Sequence, residues 1–109
     1  MLEVEGRTLE TTADGFLADA RQWDEQVAAR LAARIPIELT EAHWEIVRFI
    51  RSYYLRFQHL PNNRMFVKAV QNALGEEKGN SRYLHRLFPG SPVKYACLIA
   101  GLPKPPGCI

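Results

Sequence analysis

Only two cysteines, Cys97 and Cys108, occur in the 109 residues. Two thiols do not make a disulfide framework, and in a reducing compartment they stay free. They are too few for a zinc site without histidines, and His43, His59 and His85 are not at ligand spacing. No metal and no cofactor is expected. Long apolar runs are missing as well: none approaches the roughly 18 residues that span a bilayer. The opening Met1-Leu2-Glu3-Val4-Glu5 is acidic and lacks the basic-then-apolar pattern of a secretion signal, so the reading is a cytoplasmic protein with no membrane partner. There is no phosphate-cradling glycine loop, no pair of carboxylates in an apolar setting and no Ser-His-Asp pattern, which argues against a self-contained catalyst.

What is present is enough for one modest core. Apolar residues make up 47% of the chain and aromatics 10%, the composition of a single globular domain over 1–109. A formal net charge of +2 conceals a polarity. Residues 1–45 hold ten acids and four bases, a net of −6, whereas residues 46–109 hold ten bases and two acids, a net of +8. A basic C-terminal half favours an acidic partner or nucleic acid; the plainer alternative is a solvated surface that complements its own N-terminal half.

Alternation of Leu2 and Val4, then Glu5-Gly6, then Arg7-Thr8-Leu9 predicts a short hairpin. Asp14-Gly15 is a second turn, after which Phe16-Leu17 could add a third strand, making a small meander. A helix is expected from Trp23 or Asp24 to Arg34, with Pro36 beyond its end. Thr40 is a good N-cap for the strongest helical pattern, Trp44, Val47, Ile50, Tyr54 and Phe57, which Pro61 stops. A further helix is expected over 63–74 with Gly75 as its C-cap, then a short one capped by Ser81, then one opened by Ser91-Pro92. That last helix, with Val93, Ala96, Leu98, Ile99 and Ala100, is apolar on nearly all sides and should be buried. The fold class is therefore mainly α (α+β): about five helices in a bundle, a small N-terminal β-hairpin and an extended C-terminal arm.

The arm, residues 101–109, is the most informative segment. Pro103, Pro105 and Pro106 exclude a helix or an inner strand, and a terminal segment of this kind is mobile unless something docks it. At about 3.1 Å per residue it could carry Cys108 some 20 Å beyond Gly101. A thiol placed there is accessible to exchange partners. The neighbouring Ile109 carboxylate works against a thiolate, which suits a carrier activated in a partner's site; an incidental cysteine on a frayed tail is the plain alternative. Cys97 stands on the last helix at the border of the buried face, and on its own reads either as a core thiol or as a partner for Cys108. The connecting segment is long enough to fold back to the separation of about 5.5–6 Å between Cα atoms that a disulfide needs. Arg82, Arg86, Lys94 and Lys104 flank the thiols as candidate partner-binding residues.

Several stretches resemble one family of sulfur-relay proteins, which includes DsrC (the gamma subunit of dissimilatory sulfite reductase) and TusE. They are Glu41-Ala42-His43-Trp44, Arg64 with Lys68-Ala69, Glu77-Lys78-Gly79-Asn80-Ser81, Tyr83-Leu84 and Leu87-Phe88-Pro89. The strongest is Ala100-Gly101-Leu102-Pro103-Lys104-Pro105 followed by Cys108 one residue from the end. The resemblance covers nearly the whole chain. It implies a compact helical fold with a mobile arm whose penultimate cysteine, here Cys108, accepts sulfur. In members of the sulfite-reductase type a second cysteine stands where Cys97 stands, and the two carry sulfur as a trisulfide. Members dedicated to tRNA thiolation commonly lack it. Having both, this sequence leans to the dissimilatory type. The departures Asn62-Asn63 and Gly90-Ser91 leave the thiol positions untouched.

The leading expectation is a sulfur carrier acting as a protein co-substrate: Cys108 receives sulfur and Cys97 resolves it, with sulfite reductase or related sulfurtransferases as partners. A TusE-like role in tRNA 2-thiouridine synthesis, with the tRNA-modifying machinery as partner, needs Cys108 alone. A third reading is a helix-turn-helix nucleic-acid regulator built on the helices either side of Pro61-Asn62-Asn63, the second of which carries Arg64 and Lys68. Met65, Phe66 and Val67 make a poor recognition face. A scaffold with an incidental thiol is the fourth.

Overall fold

The computed structural model describes residues 1–108. Two short strands, β1 (Leu2–Val4) and β2 (Arg7–Leu9), pair antiparallel in the register Leu2 with Leu9 and Val4 with Arg7. Glu5 and Gly6 both take positive φ, 49° and 80°, the geometry that turns a two-residue hairpin with the right twist. Phe16 and Leu17 do not extend this sheet. Leu17 makes a single antiparallel bridge to Thr11, and both side chains are buried instead, because the Thr12–Gly15 turn is too tight to leave a ladder.

Five helices follow: α1 (Glu25–Arg34), α2 (Glu41–Phe57), α3 (Asn63–Leu74), α4 (Ser81–Leu87) and α5 (Pro92–Ile99). Three of the caps are asparagine or aspartate side chains that accept from the third backbone N–H of their helix: Asp24 from Val27, Asn62 from Met65 and Asn80 from Tyr83. Trp23 therefore lies outside α1, at the end of a short 3₁₀ turn over Ala20–Gln22. Asn80, rather than Ser81, caps α4, since its amide group also donates to the carbonyls of Glu76 and Glu77 and closes the preceding turn. Helix α2 ends before Pro61 takes effect: Gln58 adopts the left-handed conformation at φ 58°.

Helix α5 is the centre of the molecule, packed by α1, α2, α3 and α4. Val93, Ala96, Cys97 and Ile99 are fully buried in the core, as its all-round apolar pattern predicts. Two distant contacts lock the surrounding helices. His43 Nε2 donates to the Leu87 carbonyl at 2.7 Å, while its Nδ1 accepts from the Thr40 amide and hydroxyl at 3.2 and 2.8 Å. A carbonyl can only accept and a backbone N–H can only donate, so these partners put a ring proton on Nε2 and make Nδ1 the acceptor. The start of α2 and the end of α4 are joined through that one imidazole. Farther along, Lys78 pairs with Glu45 at 2.7 Å, and Gly79 lies so close to α3 that a Cβ there would fall 2.2 Å from the Gln71 Cα. Several of the residues that carry the family resemblance are thus joints of the fold.

Candidate functional site

The site is the end of α5 and the segment that leaves it. A helix end leaves its last carbonyls without partners, and buried ones must be satisfied. Here each one is. The Ala96 carbonyl accepts from Ala100 N, that of Leu98 from Gly101 N at 3.2 Å, and that of Cys97 from Leu102 N at 3.0 Å. This pattern needs a left-handed residue just past the cap, and Gly101 supplies it at φ 69°. The two remaining carbonyls are met by side chains from far away in sequence. Trp23 Nε1 donates to Ile99 O at 2.8 Å, and Arg51 Nη1 to Ala100 O at 2.7 Å. The Arg51 guanidinium lies 4.3 Å over the Trp23 ring, so cation and indole hold each other in place. Burial lowers the Arg51 pKa, yet a guanidinium starts so high that it stays charged.

Beyond this joint the arm has neither helix nor strand, as its prolines predict, but it does not project from the body. Leu102 and Pro105 are buried, the chain turns at Pro106-Gly107, and Cys108 returns half-buried against the core. Fully burying a leucine is worth about 1.5–3 kcal/mol, so Leu102 is the main anchor. Lys104, the only charged residue of the arm, pairs with Asp14 at 3.4 Å. Ile109, whose carboxylate the sequence sets beside the thiol, lies outside the described residues.

The two cysteines are both free and differ sharply. Cys97 is 0% exposed. Burial, with the proximity of Cys108 as a second cause, pushes its thiol far above the usual cysteine range. In this conformation Cys97 is protonated and shielded, while Cys108 is reachable. The pair is near enough to interact, which the backward turn of the arm brings about.

Of the four bases marked from the sequence, the structure gathers two. Lys94 lines a cavity of about 290 Å³ with Asp14, Arg34 and Tyr95, and Lys104 reaches the same Asp14. Arg82 and Arg86 are exposed on α4 and do not line that cavity. Sequence reasoning missed Trp23, Arg51 and Asp14 as parts of this region. The one available signal was the abrupt Gly-Leu-Pro end of a buried helix, which demands outside donors. Among the described residues no group of three metal-ligating side chains occurs.

A sequence profile described as "DsrC like protein" matches residues 3–109. The chain belongs to this DsrC-like family. It is similar to the sulfurtransferase TusE of Salmonella choleraesuis, with 55% identity over the full length of both chains. It is 56% identical to the TusE of Pectobacterium atrosepticum, again over all of both. Among solved structures, the NMR structure of Allochromatium vinosum DsrC superposes with a TM-score of 0.90 at 46% identity, covering 99% of this chain and 96% of that one. The oxidized gamma subunit of dissimilatory sulfite reductase (DsrC) from Archaeoglobus fulgidus gives 0.82 at 45% identity, covering 99% and 98%. The helical bundle with its N-terminal hairpin is the DsrC-like fold, and no described helix is long and apolar enough to cross a membrane.

Proposed function

We propose that this DsrC-like chain is a cytoplasmic sulfur carrier that accepts sulfur on Cys108 and delivers it to a partner of the same relay. The carrying observation is a reachable thiol at the tip of an arm anchored at its root, in a chain whose family is one of sulfur transfer. The Cys108 thiolate attacks the outer sulfur of a donor persulfide. The donor's S–S bond breaks, the donor leaves as a thiolate, and Cys108 holds the persulfide. No external oxidant is needed, because sulfane sulfur passes at constant oxidation level. An acceptor thiolate repeats the step in the opposite sense.

The mobile part of the arm, on this reading, is its tip rather than all of residues 101–109. Leu102 and Pro105 are buried, whereas Pro106 and Gly107 are exposed. Undocking the tip exposes Cys108 to a partner without dismantling the end of α5. Identity of 53–56% to chains named sulfurtransferase TusE, against 45–46% to the two DsrC structures above, favours the thiolation-type relay, with sulfurtransferases as partners. The presence of Cys97 favours the sulfite-reductase type instead. There, Cys97 would attack the inner sulfur of the Cys108 persulfide, giving a Cys97–Cys108 disulfide and releasing hydrosulfide. That step requires Cys97 to leave the core first.

Intact-mass analysis after incubation with a persulfide donor tests the carrier. The expected result is the addition of one sulfur mapped to Cys108, abolished in Cys108→Ala with the unfolding midpoint unchanged. Undiminished loading of that variant would overturn the assignment. Cys97→Ala separates the two destinations: unimpaired onward transfer supports the single-thiol relay, and lost hydrosulfide release supports the two-thiol one.

A further inference from the structure

Arg51 has a feature that its capping role leaves unexplained. It is a half-buried cation whose hydrogen bonds go only to carbonyls, Ala100 at 2.7 Å and Ala20 at 3.5 Å; the Trp23 ring lies against it, and no carboxylate meets it among the described residues. Taking a charge out of water without a counter-ion is costly, and a fold that only needed a donor there had cheaper choices. The other arginine nearby, Arg21, is turned onto Asp19 at 3.0 Å. Beside Arg51 lies a cavity of about 220 Å³ whose walls include Tyr54, Leu55 and the arm anchor Leu102. Leu55 is 67% exposed, one of the few large apolar side chains left in water, and Phe57 and Met65 share that condition. All three lie within residues 46–75, a stretch with five Arg or Lys and no Asp or Glu. At the cavity itself, an exposed leucine stands beside two arginines, Arg51 and Arg21, with Tyr54 and Leu102 on the same walls, the composition of a protein-contacting surface.

We propose that this cavity at the root of the arm is a docking site for an acidic segment of a partner protein, whose carboxylate meets Arg51 and whose adjacent apolar side chain packs on Leu55 and Leu102. The inference rests on the carrier reading for what the partner is, a protein that gives sulfur to Cys108 or takes it away. Charge complementarity selects the occupant. Arg51 uses two of its five N–H donors' worth of contacts on carbonyls, leaving edge donors for a bidentate carboxylate. A partner held there grips the fixed root, while the tip with Cys108 is left free to enter its active site. Docking and sulfur exchange are then separate contacts on one partner.

Two Gly/Ser-flanked dodecapeptides serve as probes, one with the core Glu-Leu-Phe-Glu and one with Lys-Leu-Phe-Lys, titrated into the full isotope-labelled chain. The acidic peptide should shift the Trp23 indole N–H and the amides of Leu55 and Leu102, and bind at least tenfold more tightly than the basic one. Leu55→Asp, at an exposed position where the fold should tolerate it, places a carboxylate beside Arg51 and should weaken the acidic peptide at least tenfold. Leu55→Ser should weaken it less. Equal binding of both peptides, shifts confined to other faces, or indifference to Leu55→Asp would overturn the site. So would an oligouridylate that shifts the same signals while the acidic peptide does not. Loading of Cys108 by inorganic polysulfide is measured in parallel. Peptide docking with no loading sustains this site and counts against the carrier; loading without selective docking does the reverse.

Discussion

Two glycines on either side of the arm, Gly101 and Gly107, share a left-handed backbone and little else. Gly101, at φ 69°, is wedged so tightly that a Cβ there would lie 2.5 Å from Trp23 Cδ1. Gly107, at φ 78°, has nothing within 4 Å of that position. The same contrast separates the thiols, with Cys97 sealed in α5 and Cys108 at the surface end. The root of the arm is thus part of the core, closed by Trp23, Arg51 and Leu102, and the tip is an appendage on it. A carrier needs both: a thiol that travels must be tethered to something that does not.

The contrast breaks most visibly at the root. Gly101→Ala forces a side chain into left-handed backbone, worth about 1–2 kcal/mol, and drives its methyl into Trp23, with overpacking worth about 1–3 kcal/mol. The expected loss is about 3 kcal/mol, read as a lower urea midpoint. Gly107→Ala carries the backbone term alone, on a segment that contributes little to stability, and should cost about 1 kcal/mol or less. Equal midpoints for the two variants would show that the root is not the anchor.

The thiols sharpen the comparison through pH. Cys97 ionises far less readily when folded than a free cysteine, whose thiol pKa is 9.0. Below about pH 9 both folded and unfolded chains keep that proton, so it adds no pH dependence. Above it the unfolded chain releases the proton and the folded one does not, so stability falls as pH rises. Between pH 9 and 10 the Cys97 share is about 1 kcal/mol. Other groups titrate in this range, so the measurement is the difference in slope between the wild-type chain and Cys97→Ala, not the level. An identical slope would mean that Cys97 is not sealed. Alkylation should agree, with Cys108 modified in the native state and Cys97 only on unfolding.

The hairpin was legible because Glu5-Gly6 sits between alternating apolar residues, and α5 because its apolar residues leave no polar face. Both signals are local. The closure of α5 was not legible, since Trp23 and Arg51 are 76 and 49 residues from the carbonyls they serve. Trp23 read as a possible first residue of α1, which begins instead at Glu25, and Arg51 as a polar position on α2; neither reading named a partner. Prolines told that the arm would form no helix or strand, but whether it docks depends on what lies opposite. Pro105 is buried against the body, and no pattern within the arm encodes that. Lys104 was marked for its charge near the thiols; its partner Asp14 was read as a turn residue, and it is the fold that brings the two together.

That pair offers the mildest way to shift the balance between root and tip. Lys104 and Asp14 meet at 3.4 Å with side chains 30% and 57% exposed, so solvent screens them. Such a contact is worth about 0.5 kcal/mol. Asp14→Asn keeps the size of the side chain and removes its charge, whereas shortening Lys104 would also remove the packing of its stem. If the pair helps to hold the arm, the variant should undock about twice as often, by the conversion of 1.4 kcal/mol to a factor of ten. Native-state alkylation of Cys108 should therefore run about twofold faster at low salt. At 1 M salt the Debye length falls to about 3 Å and the two rates should converge, because the charge contact is then screened in the wild-type chain too. Cys97 labelling should not change under either condition, since its burial depends on Leu102 and the end of α5. Equal Cys108 rates at low salt would show that the ion pair forms without restraining the arm, leaving Leu102 and Pro105 to hold it alone.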